Sequence, residues 1–458
     1  MATAKKKAAP KKKAVAKEKT ALQIGTDLVQ KAFKTKKLDD PFVAINEDSF
    51  KKSLPHLPTG STMVDYLIGG KLNRFGVPPC PGLPKGKVIN LYGRESAGKT
   101  TLALTIAAKT IANGGTVAYI DWENAIVNDY AKALGVPVDN DAQFKLVQPS
   151  TLEEGLMVIW AYAKAGVDLI VIDSVGAGVP KAVMEQSLDE KGSSGRIGAV
   201  AAMWSNFLPQ LRGVIKEGII IKDKKKTIKN ATVIVGISQL RSAINTSGYG
   251  AAAGDGGSTQ GGNAWKFYSD VRMGMTRLAS EKTEGYDTMK HKKEKLSSGV
   301  KVRVRADKCK VSASQGRDVE LYIKYGYGID DLRSLILYGS THKILKKDGS
   351  WFSWERGNGE LLKSQGMDSF KDAIYESPGA VDEIYALATA AIYSSDDVLV
   401  DPDADTDEDM SMLEINNILE GKNADGSGME VSDDSEVAKA QGALVDNSVM
   451  NDEENSDG

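Results

Sequence analysis

The chain has 458 residues, of which 41% are hydrophobic and 26% charged, enough for one large core and a smaller domain. No apolar run approaches the roughly 18 residues that cross a bilayer, and the basic N-terminus, "MATAKKKAAPKKKAVAKEKT", lacks the apolar segment of a secretory signal. Cys80 and Cys309 alone exclude a disulfide framework, and the scattered His56, His291 and His342 offer no zinc spacing, so a reducing, cytoplasmic setting without a membrane partner is expected.

The formal net charge of −2 conceals a polarised chain. Residues 1–20 are mostly Lys, Ala and Pro, and residues 395–458 are crowded with Asp and Glu; both read as disordered charged tails too poor in apolar residues to fold alone. A basic end and an acidic end suit a protein that handles a polyanion. Residues 21–34, "ALQIGTDLVQKAFK", place Leu22, Ile24, Leu28, Val29, Ala32 and Phe33 mainly on one side of a helix, and "FVAIN" follows as a short strand. This 21–55 segment packs either on its own core or on a neighbouring subunit.

From about 56 to 330, strand candidates alternate with helical stretches: "KVINLY" (87–92), "TVAYI" (116–120), "DLIVI" (168–172), "TVIVGI" (232–237), "VRMGM" (271–275), "VKVRVRA" (300–306) and "VELYIKY" (319–325). Near-continuous apolar strands separated by helices predict an α/β core, a mainly parallel sheet covered by helices on both faces. Two polar, glycine-rich insertions interrupt it, "SLDEKGSSGRIG" (187–198) and "SAINTSGYGAAAGDGGSTQGGN" (242–263), and loops of that length are usually functional or disordered. Residues 331–394 have aromatics, a hairpin-like centre and helix candidates, enough for a small C-terminal α+β domain. In the acidic tail, "MSMLEINNILE" (410–420) reads as a short helix, either transient or a partner-docking segment.

Between "KVINLY" and a helix-like stretch lies "GRESAGKTT", Gly93 to Thr101, with the spacing of a P-loop. There, backbone N–H groups of Gly93, Arg94, Glu95, Ser96, Ala97 and Gly98 and the following helix N-terminus cradle phosphates; Lys99 supplies a charge, and Thr100 a hydroxyl for Mg²⁺. The helix should stop at "NGG" (113–115). A Mg²⁺ site also needs a carboxylate from a neighbouring strand end, and "DLIVIDS" offers Asp173, whose alternative is a helix N-cap. Hydrolysis needs a base to orient water: "TVAYI" ends in Asp121-Trp122-Glu123, with Glu123 preferred and Asp121 as the fallback. Gln239, ending the strand in "TVIVGISQLR", is either a γ-phosphate sensor or an ordinary polar strand end.

The segments "LPTGSTMVDYLIGG", "GRESAGKTT", "AYIDWENA", "VNDYAKALGV", "LIVIDSV", "ISQLR", "GGNAWKFYSDVR" and "YGYGI" occur in an order and spacing that resembles RecA-type recombinases of bacteria and their phages. The resemblance covers roughly residues 21 to 390, with "GSWFSW" similar to the family's small C-terminal domain. It implies a DNA-dependent ATPase that forms helical filaments on single-stranded DNA and pairs it with double-stranded DNA, using ATP and Mg²⁺. Glu123 would position water, and Lys99 and Gln239 would act on the γ-phosphate. Tyr130 would stack the adenine, with Thr101 and Tyr325 nearby. Lys308 and Lys310 would reach the neighbouring subunit's ATP. The first DNA-binding loop would span 185–198, with Arg196, Ile197 and Gly198, and the second 240–262 and its exit, with Arg241, Ile244, Gly261, Gly262 and Asn263.

The chain departs from the family pattern at Arg94, where Pro is usual, at Asn124, and at Val127, which stands where the family has an adenine-contacting Asp. "KLNRFGVPPCPG" (71–82) is inserted before the cradle, and the Lys-rich tail is not a usual family part. These features point to a divergent member, with phage origin as one reading. Competing expectations are a ring-shaped helicase motor on the same core and an ATP-switched scaffold. Expected partners are single-strand-binding or loading proteins, and the expected place of work is the nucleoid.

Overall fold

The computed structural model describes residues 21–35, 50–185, 193–216, 219–221, 226–228, 230–241, 258–259, 262–287 and 292–394. The expected "FVAIN" strand, both tails and the 410–420 helix lie outside them. The chain divides into residues 1–51 and 52–458. In the first unit, Ala21–Thr35 is the expected helix and leaves Leu28 and Val29 exposed.

The second unit is built on one large sheet. Its strands run in the order Gly328–Ile329, Asp318–Lys324, Lys292–Cys309, Val271–Asp287, Val88–Gly93, Val233–Arg241, Leu169–Asp173, Val117–Asp121 and Phe144–Val147. The last six of these pair in parallel. Every residue of Val88–Gly93, Val117–Asp121 and Leu169–Asp173 is buried, as strands covered on both faces require. Successive side chains alternate between two cores. Ile89, Leu91, Tyr119, Val171 and Val235 join the core under helices Thr62–Gly69 and Lys99–Ala112. Val88, Ile120, Ile170, Ile172 and Ile234 join the one under Leu152–Ala165 and Ser193–Lys216.

Local chemistry sets the helix limits. Leu152–Ala165 opens with a reciprocal Thr151/Glu154 capping box and stops at Gly166, whose φ is 82°. Lys99–Ala112 stops at Asn113, within the predicted "NGG".

The predicted alternation of strand and helix ends with the short helix Ala264–Tyr268. Beyond it, Val271–Asp287, Lys292–Cys309 and Asp318–Lys324 form an antiparallel meander without intervening helices. The reason is legible afterwards: "VKVRVRA" and "VELYIKY" alternate apolar and polar residues, the pattern of strands solvated on one face. The first two strands also run past the expected ends at 275 and 300, paired as far as Asp287 and Lys292 with register shifts on the way.

The inserted 71–82 segment is an ordered turn. Asn73 Oδ1 accepts from Phe75 N and Val77 N, and Leu54 N donates to Pro79 O at 2.8 Å. Cys80 is fully buried there, and burial pushes its thiol up to about 12, which makes it an inert core residue. Residues 331–394 hold three helices and a three-stranded antiparallel sheet around a separate core that contains Trp354 and Phe370. Arg356 pins this part, reaching Glu383 at 2.8 Å, Glu360 at 2.7 Å and the Ser377 hydroxyl at 2.6 Å.

Beside the first core, the Asp65 carboxylate accepts from Thr59 N at 2.8 Å, near Asp331, which accepts from Thr62 N and Oγ1. Burial raises the Asp65 pKa to about 7, and the Asp331 charge adds to it. A carboxyl raised in the folded state stabilises the fold below its unfolded pKa, and that contribution disappears as pH rises through the folded value. Asp65→Asn keeps the acceptor and removes the charge. Between pH 5 and pH 8 the variant should lose less stability than the wild type, by on the order of a few kcal/mol, read from thermal melts at both pH values.

Candidate active site

The cradle starts where Val88–Gly93 leaves the sheet. A Cβ on Gly93 would lie 2.3 Å from Met275 O of the adjacent strand, so the strand spacing itself demands glycine. Gly98 has φ 84°, and a Cβ there would lie 2.3 Å from Ile323 Cδ1. The helix Lys99–Ala112 begins at this point without a side-chain cap and with no acidic residue in its first turn, so its N-terminal N–H groups stay open to an anion. Arg94, Glu95 and Ser96 are exposed; Ala97 is buried. Lys99 Nζ donates to Arg94 O at 2.7 Å and meets no carboxylate at ion-pair distance among the described residues. Burial lowers its pKa, against the pull of Asp173, Glu123 and Glu95. A cation held on loop backbone beside an open helix end fits a phosphate group.

Asp173 ends its strand, and no helix starts there, so the N-cap alternative does not apply. Its Oδ2 accepts from Thr100 Oγ1 and from Tyr119 OH, each at 2.9 Å. Burial lifts its pKa to about 6, while both hydrogen bonds pull the other way. Thr100 and Asp173 thus present two oxygens side by side. That donor set suits Mg²⁺, which retains waters and takes phosphate oxygens rather than an all-protein cage.

The strand Val117–Asp121 separates the two candidate bases. Asp121 is fully buried and accepts from Glu123 N, Ala125 N and Ile126 N at 3.1 to 3.3 Å. It shapes the turn, in which Asn124 takes a left-handed φ of 51°, and has no carboxylate oxygen to offer a substrate. Glu123 is exposed and accepts from Gln239 Nε2 at 3.0 Å and from the Ser174 hydroxyl. The parallel register sets Gln239 beside Gly93. Ser174 escaped the sequence reading although it stands in "DLIVIDS"; nothing in the chain order indicates that Asp173 and Ser174 serve different partners.

Tyr130 OH lies 2.8 Å from Thr101 Oγ1, close to the start of the cradle helix, and Val127 is exposed nearby in the sequence. Tyr325 is half-exposed, two residues beyond the Ile323 that contacts Gly98. Lys308 is elsewhere. Through Arg272 its register lies level with Asn90, three residues before the strand exit, or roughly 10 Å behind it. Its Nζ donates to Lys266 O and Phe267 O at 2.9 Å, and Lys310 lies 4.0 Å from Asp270. Both lysines are therefore remote from their own cradle.

Ser193–Lys216 is a helix, so Arg196, Ile197 and Gly198 occupy its first turns rather than the expected loop. Alanines and a bulky apolar face after Gly198 carry the helical pattern back toward Ser193. Arg241 ends its strand, whereas Ile244 and Gly261 lie outside the described residues. Gly262 has φ 75°, and a Cβ on it would meet Ala201 Cβ at 2.6 Å, so it also packs on that helix. Asn263 is exposed at the start of Ala264–Tyr268.

The RecA N-terminal domain family model matches residues 36–330. Protein RecA of Helicobacter hepaticus is 34% identical over 394 residues, 86% of this chain and 99% of that protein. Protein RecA of Nitratiruptor sp. is 35% identical over 354 residues, 77% of this chain and 89% of that protein, and that of Thermus thermophilus is 33% identical over 337 residues, 73% and 85% respectively.

Ser174→Ala removes one donor to Glu123 and leaves Lys99, Thr100 and Asp173 in place. The kcat for ATP hydrolysis should fall on the order of tenfold, with nucleotide affinity changed less than about twofold. Steady-state turnover and titration with a fluorescent ATP analogue separate the two; an unchanged kcat would show that Glu123 does not need this hydroxyl.

Proposed function

The chain belongs to the RecA family, and from that premise we propose that it is an ATP-dependent recombinase, which assembles as a helical filament on single-stranded DNA and catalyses homologous pairing and strand exchange with double-stranded DNA. The observation that carries this reading is the Gln239–Glu123 hydrogen bond. It joins the residue that would orient water to the strand from which the second DNA segment departs. A γ-phosphate in the cradle competes with Glu123 for the Gln239 amide N–H, so nucleotide state reaches that segment through one amide.

In this reading Lys99 and the cradle N–H groups hold the phosphates, Glu123 accepts the proton of attacking water, and products are ADP and phosphate. Thr100 and Asp173 would hold Mg²⁺, which would supply positive charge to offset that of the phosphates. Tyr130 and Tyr325 flank the base. Lys308 and Lys310, remote from their own cradle, serve the ATP of the next subunit, so hydrolysis waits on assembly. Lys308 also grips the carbonyl end of Ala264–Tyr268, the helix at the exit of the second DNA segment.

A filament also needs two different surfaces that fit each other head to tail. Met157 and Trp160, three residues apart on Leu152–Ala165, are 66% and 38% exposed, an apolar face suited to another subunit. Arg196, Arg241, Gly198, Gly262 and Asn263, with Ile197 and Ile244 between bases, are assigned to DNA. Base pairing supplies the sequence readout, so the protein itself should show no sequence preference. The basic tail adds salt-sensitive affinity, and the acidic tail competes with duplex. The work is assigned to the cytoplasm, at the nucleoid, with single-strand-binding or loading proteins as partners.

The test is joint-molecule formation from a labelled single strand and a homologous supercoiled duplex with ATP and Mg²⁺, with a non-homologous duplex as control. Homology-dependent joints are expected, and their absence despite DNA-stimulated hydrolysis would favour a motor. Lys99→Ala should abolish nucleotide-dependent assembly, whereas Glu123→Gln should give stable filaments with stalled turnover in electron micrographs and phosphate-release assays. Mixing Glu123→Gln with a Lys308→Ala/Lys310→Ala variant should recover hydrolysis that neither has alone; no recovery would remove the lysines from the neighbouring site.

A further inference from the structure

Besides the polar contact between Glu123 and Gln239, an aromatic stack joins the same places on the other side of the strand exits. Trp122 stands between the buried Asp121 and Glu123, with its backbone N–H on Asp173 O at 2.9 Å. Its ring fills the space over Gly155 and Gly178, where a Cβ would come within 1.9 and 3.1 Å, and its indole N–H donates to Thr151 O. The ring therefore cannot shift independently of the strand exit that carries Glu123. It meets Trp204 edge-on at 6.3 Å, and Trp204 meets Trp265 at 5.1 Å. Trp204 lies on Ser193–Lys216, the helix whose first turns carry Arg196, Ile197 and Gly198. Trp265 is the second residue of Ala264–Tyr268, just after Asn263.

Each end is tied to the site. The Trp204 indole donates to Val175 O at 2.7 Å, and Val175 N donates to Ile237 O, two residues before Gln239. Trp265 lies against Gly236, where a Cβ would be 2.2 Å from the ring. Trp204 and Trp265 are fully buried, and the Trp265 indole N–H meets no acceptor among the described residues.

We propose that Trp122, Trp204 and Trp265 are positioning residues that couple the water-orienting loop to the roots of both DNA segments, so that DNA binding sets the Glu123 exit through packing as well as through Gln239. The link rests on the recombinase reading above. Close-packed rings transmit displacement because a shift of one leaves either a void or an overlap at the next.

The experiment compares hydrolysis with and without poly(dT) in full-length protein, alongside thermal melts. Trp204→Leu, which removes the middle ring, should lower the stimulation by poly(dT) about tenfold while basal turnover stays unchanged. Trp204→Phe, which keeps a ring, should retain stimulation within about twofold of wild type. If Trp204→Leu fails to fold, Trp122→Leu, at the half-buried end of the stack, should show the same loss of the stimulation ratio. Where both leucine variants fold, the double variant should be no worse than the more affected single, since the rings act as one unit. A folded leucine variant with unchanged stimulation, a phenylalanine variant as damaged as the leucine one, or additive losses would each overturn the link. A wild type without DNA stimulation would overturn the functional reading and the link with it.

Discussion

One carboxylate organises the site. Glu123 is held by Gln239 from one strand and Ser174 from the next, and its own strand supplies the turn built on Asp121. Three parallel strands must therefore end at the same height, with their exits splayed apart by no more than a hydrogen bond. The register keeps them there: Gly93 lies beside Gln239 and Asp121 beside Asp173. A hydrogen bond to a charged group contributes roughly 1.5–3 kcal/mol, so two such donors hold the carboxylate without freezing it. A group poised in this way can change partners when a phosphate arrives.

The rest of the molecule supports that alignment. Helices on both faces bury the strands Val88–Gly93, Val117–Asp121 and Leu169–Asp173 completely, which keeps solvent from their backbone and brings the exposed polar groups to their carboxyl ends. On the cradle side, the glycines at 93 and 98 let Met275 and Ile323 approach the loop. On the other side, tryptophan rings occupy the space that Gly155, Gly178 and Gly236 leave open. Edge-to-face aromatic pairs contribute about 0.5–1.5 kcal/mol each beyond their buried area, so the stack stiffens the exits. The Gly262 contact with Ala201 and the Arg212 bonds to Tyr268 O and Asp270 bind the helices Ser193–Lys216 and Ala264–Tyr268 to each other as well.

The meander at the far edge shows a different constraint. Its strands alternate buried and exposed residues because only one face meets the core, and the Lys308 end of the ribbon is anchored to backbone carbonyls rather than to the cradle. Charge at that edge is consequently separated from the phosphate site of the same chain.

Much was legible from local pattern. The P-loop spacing, the apolar strands and the "NGG" stop report short-range physics: backbone donors at a helix start, burial on both faces and a left-handed helix end. Asp121 and Glu123 could not be separated that way, since both are carboxylates at one strand exit. Only the folded turn shows Asp121 consumed by three N–H groups and Glu123 left outward. Ser174 and the tryptophans were likewise invisible, because Trp122, Trp204 and Trp265 meet only when helices distant in the chain close over one sheet face. By itself the sequence determined the phosphate cradle and the covered sheet, because their causes lie within a few residues; the tertiary structure alone decided which carboxylate stays exposed at the strand exit and what holds it, because those partners come from different strands.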